Sequence, residues 1–209
     1  MSKTFWAVIA IIVVIFGGVI VFNKDEDKTS TNAKPTNHVI GQGTSGVKLV
    51  EYGDFECPFC GQYYPIVEQV KDKYKDQITF QFRHLPLITV HRHALAAARA
   101  AEAADKQGKF WEMYNLLFQN QSSWSARDDA SKVFEQYATQ LGLNLTRFKA
   151  DVTSAQTNAV INTDIAEFKK TKAKMSTPTF FLDGKQIKPT SVDEFSKLID
   201  EAIKSKQHQ

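Results

Sequence analysis

A strand that hands two cysteines to the first turn of a helix is the feature that most restricts how this chain can fold. It runs Val47-Lys-Leu-Val-Glu-Tyr-Gly-Asp-Phe-Glu-Cys-Pro-Phe-Cys60, and Cys57 and Cys60 are the 2 cysteines of the 209-residue sequence. Val47 to Tyr52 reads as a strand, and Tyr63, Ile66, Val67, Val70 and Tyr74 then recur at helical spacing. A second strand, Ile78 to Leu85, follows the turn-like Lys75-Asp76-Gln77. Strand, helix and strand at these lengths make a βαβ unit, which requires a parallel strand pair and a right-handed crossover. The cysteines lie at its βα junction, where a helix N-terminus points outward.

Downstream the pattern turns helical over about residues 91–173. Ala94 to Lys106 is alanine-rich and stops at Gly108; Phe110 to Phe118, Asp128 to Leu141, Leu145 to Val152 and Ala155 to Lys172 follow. A strand then resumes over Thr177 to Leu182, turns at Asp183-Gly184 and returns through Gln186 to Lys188. Asp-Gly between two strand-like runs is a strong hairpin signal. A last amphipathic helix, Val192 to Lys204, carries Phe195, Leu198, Ile199 and Ala202 on one face. The fold class is α/β, with an all-helical insertion between the βαβ unit and a C-terminal β-hairpin plus helix.

The N-terminal residues have a different character. Phe5 to Phe22 is an uncharged, apolar 18-residue stretch, about 27 Å long as a helix against a hydrocarbon core of about 30 Å. Asn23 to Lys28 follows with no small-residue cleavage site, so residues 1–23 are expected to be a retained transmembrane anchor rather than a cleaved signal. Residues 24–37, mostly charged or small and polar, read as a flexible linker, and residues 38–206 as the folded domain. Lysines lie on both sides of the apolar stretch and do not orient it. Export of the domain is expected because an N-terminal apolar segment before one soluble domain usually exports it, and because oxidised cysteine pairs persist outside the cytoplasm.

Charge excludes one class of partner. Lys, Arg, Asp and Glu are interleaved, the formal net charge is +3, and no basic stripe suits a nucleic acid. Two cysteines cannot build a disulfide scaffold, and a bridge across Pro58-Phe59 closes too short a loop to be much of a staple. Redox exchange or half of a metal site remain. Zinc would want two more Cys or His at ligand spacing, and there is no second cysteine pair; His91 and His93 lie far along the chain. His84, His91 and His93 read as polar residues at a strand end and a helix start, and no metal or other cofactor is expected. Trp111 and Trp124 read as packing residues, and the triplets at Asn120 and Asn144 as chance matches to a glycosylation signal.

A dithiol at a helix start has a definite chemistry. Open N–H groups and the helix dipole favour a thiolate on Cys57, making it the exposed attacking sulfur, with Cys60 one turn further in as the resolving one. Each pH unit by which the fold lowers the Cys57 pKa stabilises the reduced form by about 1.4 kcal/mol, or about 30 mV towards a stronger oxidant. Ser176-Thr177-Pro178-Thr179 is the second signal. Proline at the start of a central strand gives up a ladder hydrogen bond, which makes sense if the Thr177-Pro178 bond is cis and faces a ligand.

Taken together, Phe-Glu-Cys-Pro-Phe-Cys after a hydrophobic strand, Thr-Pro before Thr-Phe-Phe-Leu-Asp-Gly, and the helical block between them resemble the DsbA-like family of thioredoxin-fold proteins. The stretch from Ala97 to Phe118 is similar to membrane-anchored bacterial members. The resemblance implies a thioredoxin fold and a bacterial extracytoplasmic thiol-disulfide oxidoreductase that exchanges disulfides with exported polypeptides. With the anchor it is read as a membrane-tethered enzyme that forms disulfides in reduced exported polypeptides and is reoxidised by a membrane-bound partner or by small-molecule oxidants. It implies that Thr177 offers its backbone to an extended substrate, that Pro178 flanks the active-site sulfur, and that Glu51 is a buried acid able to relay protons. Pro58 and Phe59 would tune the helix terminus and the contact surface, Phe59 standing where the best-known member has a histidine. A reductase or isomerase using the same site is the alternative within enzymes; a copper-binding or non-catalytic thiol holding protein is the alternative from another class.

Overall fold

A computed structural model describes residues 33–208. The expected anchor over residues 1–23 lies outside the described residues, as does the linker up to residue 32; among the described residues no helix is long and apolar enough to cross a membrane.

The βαβ unit consists of β2 (Val47–Gly53), α1 (Pro58–Tyr74) and β3 (Ile78–His84), after a short β1 (His38–Ile40). β2 and β3 pair in parallel over their whole length, from Val47 opposite Ile78 to Gly53 opposite His84. The insertion comprises α2 (Ala94–Asp105), α3 (Phe110–Gln119), α4 (Gln121–Ser125), α5 (Ala130–Gln140), α6 (Leu145–Val152) and α7 (Ala155–Lys170). β4 (Thr179–Leu182), β5 (Lys185–Ile187) and α8 (Val192–Gln207) complete the chain. The sheet order is β1-β3-β2-β4-β5, with every pair except β2–β3 antiparallel. Asp183 and Gly184, at φ 47° and 81°, make the β4–β5 turn with two positive φ angles, the geometry that matches strand twist.

Alternation along β2 sorts its side chains onto two faces. Val47 and Leu49 join Phe80, Phe82, Phe180 and Leu182 in a core shared with α1, α3 and α8, where Phe195 of α8 packs edge-on against Phe180 at 5.0 Å. Tyr52, Phe181 and Leu85 face the other way and pack with Phe168 of α7. Glu51 shares the Leu49 face by the period of 2, on the α1 side, flanked in the ladders by Phe82 and Phe180. Within the insertion, the alanines of α2 are almost wholly buried, and their small side chains let α3, α5, α6 and α7 all pack against that helix. Trp124 is fully buried and donates its indole N–H to the Leu117 carbonyl at 2.7 Å, a packing role. Asn144 caps α6, its side chain accepting from the Arg147 N–H.

Three local features depart from the sequence expectations. β1 pairs antiparallel with β3, and at three residues it is too short for a periodic signal. α4 breaks the expected gap after Phe118 with five mostly polar residues. The end of the expected flexible linker is also pinned. Thr36 is buried, its N–H and hydroxyl bond the two oxygens of Asp164 at 2.9 and 2.5 Å, and its carbonyl accepts from Gln81 at 3.0 Å. These partners lie 45 and 128 residues away, so nothing in the local composition announces them.

Candidate active site

Cys57 is the N-cap of α1 and Pro58 opens the helix, where a missing N–H costs nothing because the first turn has no intrahelical partners. Cys60 falls in that first turn. Both thiols are free. Cys57 is 4% exposed and Cys60 0%, so the order of exposure is as expected while Cys57 is more covered than an open nucleophile. Its Sγ lies 3.4 Å from the Thr177 carbonyl oxygen, and the Thr177-Pro178 peptide bond is cis. The two distant signals of the sequence therefore meet at one sulfur. Beside them Phe59, Tyr63, Pro178, Ile187 and Pro189 line a groove of about 310 Å³, and Phe59 is 63% exposed.

The electrostatics separate the two sulfurs. Hydrogen bonding with Cys60 holds the Cys57 thiol at about 6, helped, against burial, by contact with Thr177 and by the N–H groups of Cys60 and Phe59. Burial, together with hydrogen bonding to Cys57, pushes Cys60 well above the usual thiol range. Of the pair, Cys57 is the sulfur that is ionised near neutral pH, which is the property of a reactive thiol. Glu51 is 2% exposed, its Oε2 has no hydrogen-bond partner, and burial raises it to about 8, opposed by the charge of Lys71. The charges of Glu51 and Cys57 disfavour each other.

Two residues that sequence reasoning passed over hold the active-site turn. Asp54 is buried; its Oδ1 accepts the Glu56 N–H at 2.8 Å, and its Oδ2 accepts the Leu87 N–H at 2.8 Å and bonds His91 Nδ1 at 2.7 Å. Gln121, the first residue of α4, donates its side-chain amide to the carbonyls of Phe55 and Cys57 at 2.7 and 2.8 Å. The acid directly before Phe55 was the one available hint; nothing marks Gln121.

Among the described residues, one group of three metal-ligating side chains is gathered, His38, His84 and Glu102, and it contains neither cysteine. Both imidazole Nε2 atoms share Glu102 Oε1, at 2.5 and 2.7 Å. Those are spacings of proton-mediated bonds, shorter than the separation of about 3.3 Å between neighbouring ligand atoms around a tetrahedral zinc with bonds near 2.0 Å. The three residues fit a charged hydrogen-bond bridge joining β1, β3 and α2. His84 and His38 are accordingly buried structural histidines.

A thioredoxin family model matches residues 33–201. The chain belongs to the thioredoxin family. Within it the fold is that of DsbA structures: this thioredoxin-family chain is similar to α-DsbA1 of Wolbachia pipientis, with a TM-score of 0.70 at 19% identity over 83% of this chain and 94% of that one. It is similar also to BdbD of Bacillus subtilis, with a TM-score of 0.69 at 21% identity over 82% and 97% of the two chains. A curated relative, Na(+)/H(+) antiporter NhaA 1 of Salinispora arenicola, is 39% identical over 150 residues, which is 72% of this thioredoxin-family chain and 22% of the relative. The chain thus spans about a fifth of that protein's length.

Proposed function

We propose that this protein is a thiol-disulfide oxidoreductase that forms disulfide bonds in exported polypeptides through Cys57 and Cys60. The observation that carries the reading is the meeting of Cys57, at a helix N-terminus, with the Thr177 carbonyl beside Pro178. One sulfur that ionises easily, one that does not, and a cis-proline loop beside a groove are the parts that disulfide exchange with an extended chain needs. In the oxidised enzyme, a substrate thiolate attacks Cys57 Sγ, forming a substrate–Cys57 disulfide and expelling the Cys60 thiolate. A second substrate thiolate then attacks the substrate sulfur, and Cys57 leaves as a thiolate. Two electrons pass from the substrate thiols to the Cys57–Cys60 pair, which ends reduced.

Each residue has a part in this scheme. Thr177 offers its backbone to the extended substrate, Pro178 and Phe59 shape the contact surface, and Pro58 fixes the helix start. Cys60, expelled as a thiolate far below its preferred protonation state, takes up a proton that Glu51 carries to or from the buried side. The apolar run Phe5–Phe22 supports a membrane tether with the domain on the extracytoplasmic side, facing newly exported chains and a membrane-bound partner that removes the electrons. Transport by the NhaA-named relatives is not carried over, since the match covers a minor part of their length.

The deciding experiment is oxidation of a reduced test protein by the oxidised chain. Wild type should introduce disulfides and Cys57→Ser should not; full activity in Cys57→Ser would sink the reading. Equilibration with glutathione fixes direction: a pair that stays oxidised in mild glutathione buffer is a reductant.

A further inference from the structure

The side chain of Gln121 reaches the active-site turn from the helical insertion, across more than 60 residues of sequence. Its Nε2 donates one proton to the Phe55 carbonyl at 2.7 Å and the other to the Cys57 carbonyl at 2.8 Å. Two carbonyl acceptors require the nitrogen end of the amide to point at them, so the orientation is set by the network. The Cys57 carbonyl also accepts the Gly61 N–H at 3.1 Å, the first bond of α1, and the Cys57 N–H donates to the Asp54 carbonyl at 3.1 Å. The backbone groups on both sides of the Cys57 side chain are therefore tied down, and the outer two ties are one glutamine.

Gly61 makes room for it. A Cβ at position 61 would stand 2.3 Å from Gln121 Oε1 and 3.0 Å from its Cδ, so any side chain there pushes the amide away. Position 61 is helical and its φ is not in the left-handed region, which leaves no backbone reason for glycine at a place where alanine is the better helix former.

We propose that Gln121 is a positioning residue of the dithiol site, clamping the carbonyls of Phe55 and Cys57, and that Gly61 is glycine so that this clamp can close. The proposal rests on the disulfide-exchange reading. Glutamine suits the task because it is neutral and carries two N–H donors on one planar nitrogen. Glutamate would set a carboxylate against two carbonyl oxygens, and asparagine is one carbon short. The clamp acts on the reaction in two ways. It fixes the peptide planes from which Cys57 Sγ is aimed, and in-line attack at sulfur is sensitive to misplacement. It also neutralises two carbonyl dipoles next to a sulfur that carries negative charge once ionised. The insertion thereby reaches into the chemistry of the βαβ unit.

A double-mutant cycle on the full chain tests this, with wild type, Q121A, G61A and the double variant compared for rate of substrate oxidation, pH midpoint of Cys57 alkylation and thermal midpoint. Each single variant should slow exchange about tenfold and move the alkylation midpoint upward. G61A should lower the thermal midpoint of wild type yet raise it in the Q121A background, where alanine meets no amide and favours the helix. The double variant should be no slower than the slower single one. Q121E keeps the shape and loses the donors, and at neutral pH should be at least as impaired as Q121A, since its carboxylate faces two carbonyl oxygens. A Q121A variant with the wild-type rate and midpoint, additive effects across the cycle, or a Q121E variant indistinguishable from wild type would each overturn the clamp. A wild-type protein that exchanges no disulfides would instead defeat the functional reading, and the alkylation midpoints would still decide the clamp.

Discussion

Cys57 Sγ sits 3.4 Å from the carbonyl oxygen of Thr177, a residue 120 positions further along the chain. The contact puts the sulfur at the start of β4, beside the cis Thr177-Pro178 bond, while the N–H groups of Phe59 and Cys60 approach it from α1. The site belongs to two segments that are joined only by the fold.

The first prediction concerns the reactive thiolate. With Cys57 held at about 6 instead of its ordinary 9.0, alkylation of the reduced protein should follow a pH curve with its midpoint near 6. The folded pKa is depressed, so the resulting stabilisation of the reduced form is fully present above pH 9 and is lost as pH falls through 6. Reduced and oxidised proteins should therefore diverge in thermal stability as pH rises from 6 to 9. Titration of alkylation rate and paired melting curves check both statements, and a midpoint near 9 would refute the assignment of Cys57.

Glu51 should act in the opposite sense. Burial raises its pKa from 4.5 to about 8, so its contribution is fully present below pH 4.5 and is lost as pH rises through 8, where a carboxylate must be held without solvent. Glu51→Gln should flatten that limb and stabilise the protein at pH 8 by on the order of 1–2 kcal/mol, the buried amide offsetting part of the gain. Because Glu51 is still protonated at pH 6, Glu51→Gln should leave the Cys57 alkylation midpoint close to that of wild type. Denaturant titrations at pH 5 and pH 8 measure the first effect.

Asp54→Ala should cost about 3–5 kcal/mol, because it leaves the N–H groups of Glu56 and Leu87 and the ring of His91 without their buried acceptor. Asp54→Asn should cost less, since an amide oxygen still accepts. Because the same carboxylate anchors the turn that carries Cys57, both variants should also exchange disulfides more slowly than wild type. Urea unfolding and exchange kinetics on the same samples check the pair.

The His38–Glu102–His84 bridge gives a fourth prediction, independent of the thiols. Burial pushes Glu102 up and His38 down, yet their hydrogen bonds win: Glu102 is held at about 2 by His38 and His84, and His38, bonded also by Asp105, is raised to about 9. The Glu102 contribution is present above pH 4.5 and lost as pH falls through 2; that of His38 is present below pH 6.5 and lost as pH rises through 9. The bridge is thus at full strength between pH 4.5 and 6.5. Glu102→Gln should destabilise most in that window, by roughly 3–5 kcal/mol, and a variant with unchanged melting at pH 5.5 would contradict the bridge.

Much of this protein was legible in its residues alone. The period-2 strand before Cys57, the helical spacing after it and the Asp183-Gly184 turn report local backbone preferences, which are set within a few residues and so are written in sequence. The pairing of a dithiol with Thr177-Pro178 was legible because each motif departs from what plain structure would choose. Other features left no such trace. Asp54, Gln121, Thr36 and Glu102 work through partners tens of residues away, and a lone Asp, Gln, Thr or Glu carries no period to betray a role.

The motif Glu-Cys-Pro-Phe-Cys at the mouth of a βαβ unit thus determined by itself that two thiols stand at a helix N-terminus, because strand and helix propensity and the absence of any other cysteine leave that geometry little choice. Only the tertiary structure decided how the thiols differ. The separation of Cys57 from Cys60 in pKa comes from the hydrogen bond between the two sulfurs, from the deeper burial of Cys60 and from the approach of Thr177 and of the Phe59 and Cys60 N–H groups to Cys57. The burial and the Thr177 contact exist only once the insertion and the C-terminal hairpin pack against the sheet.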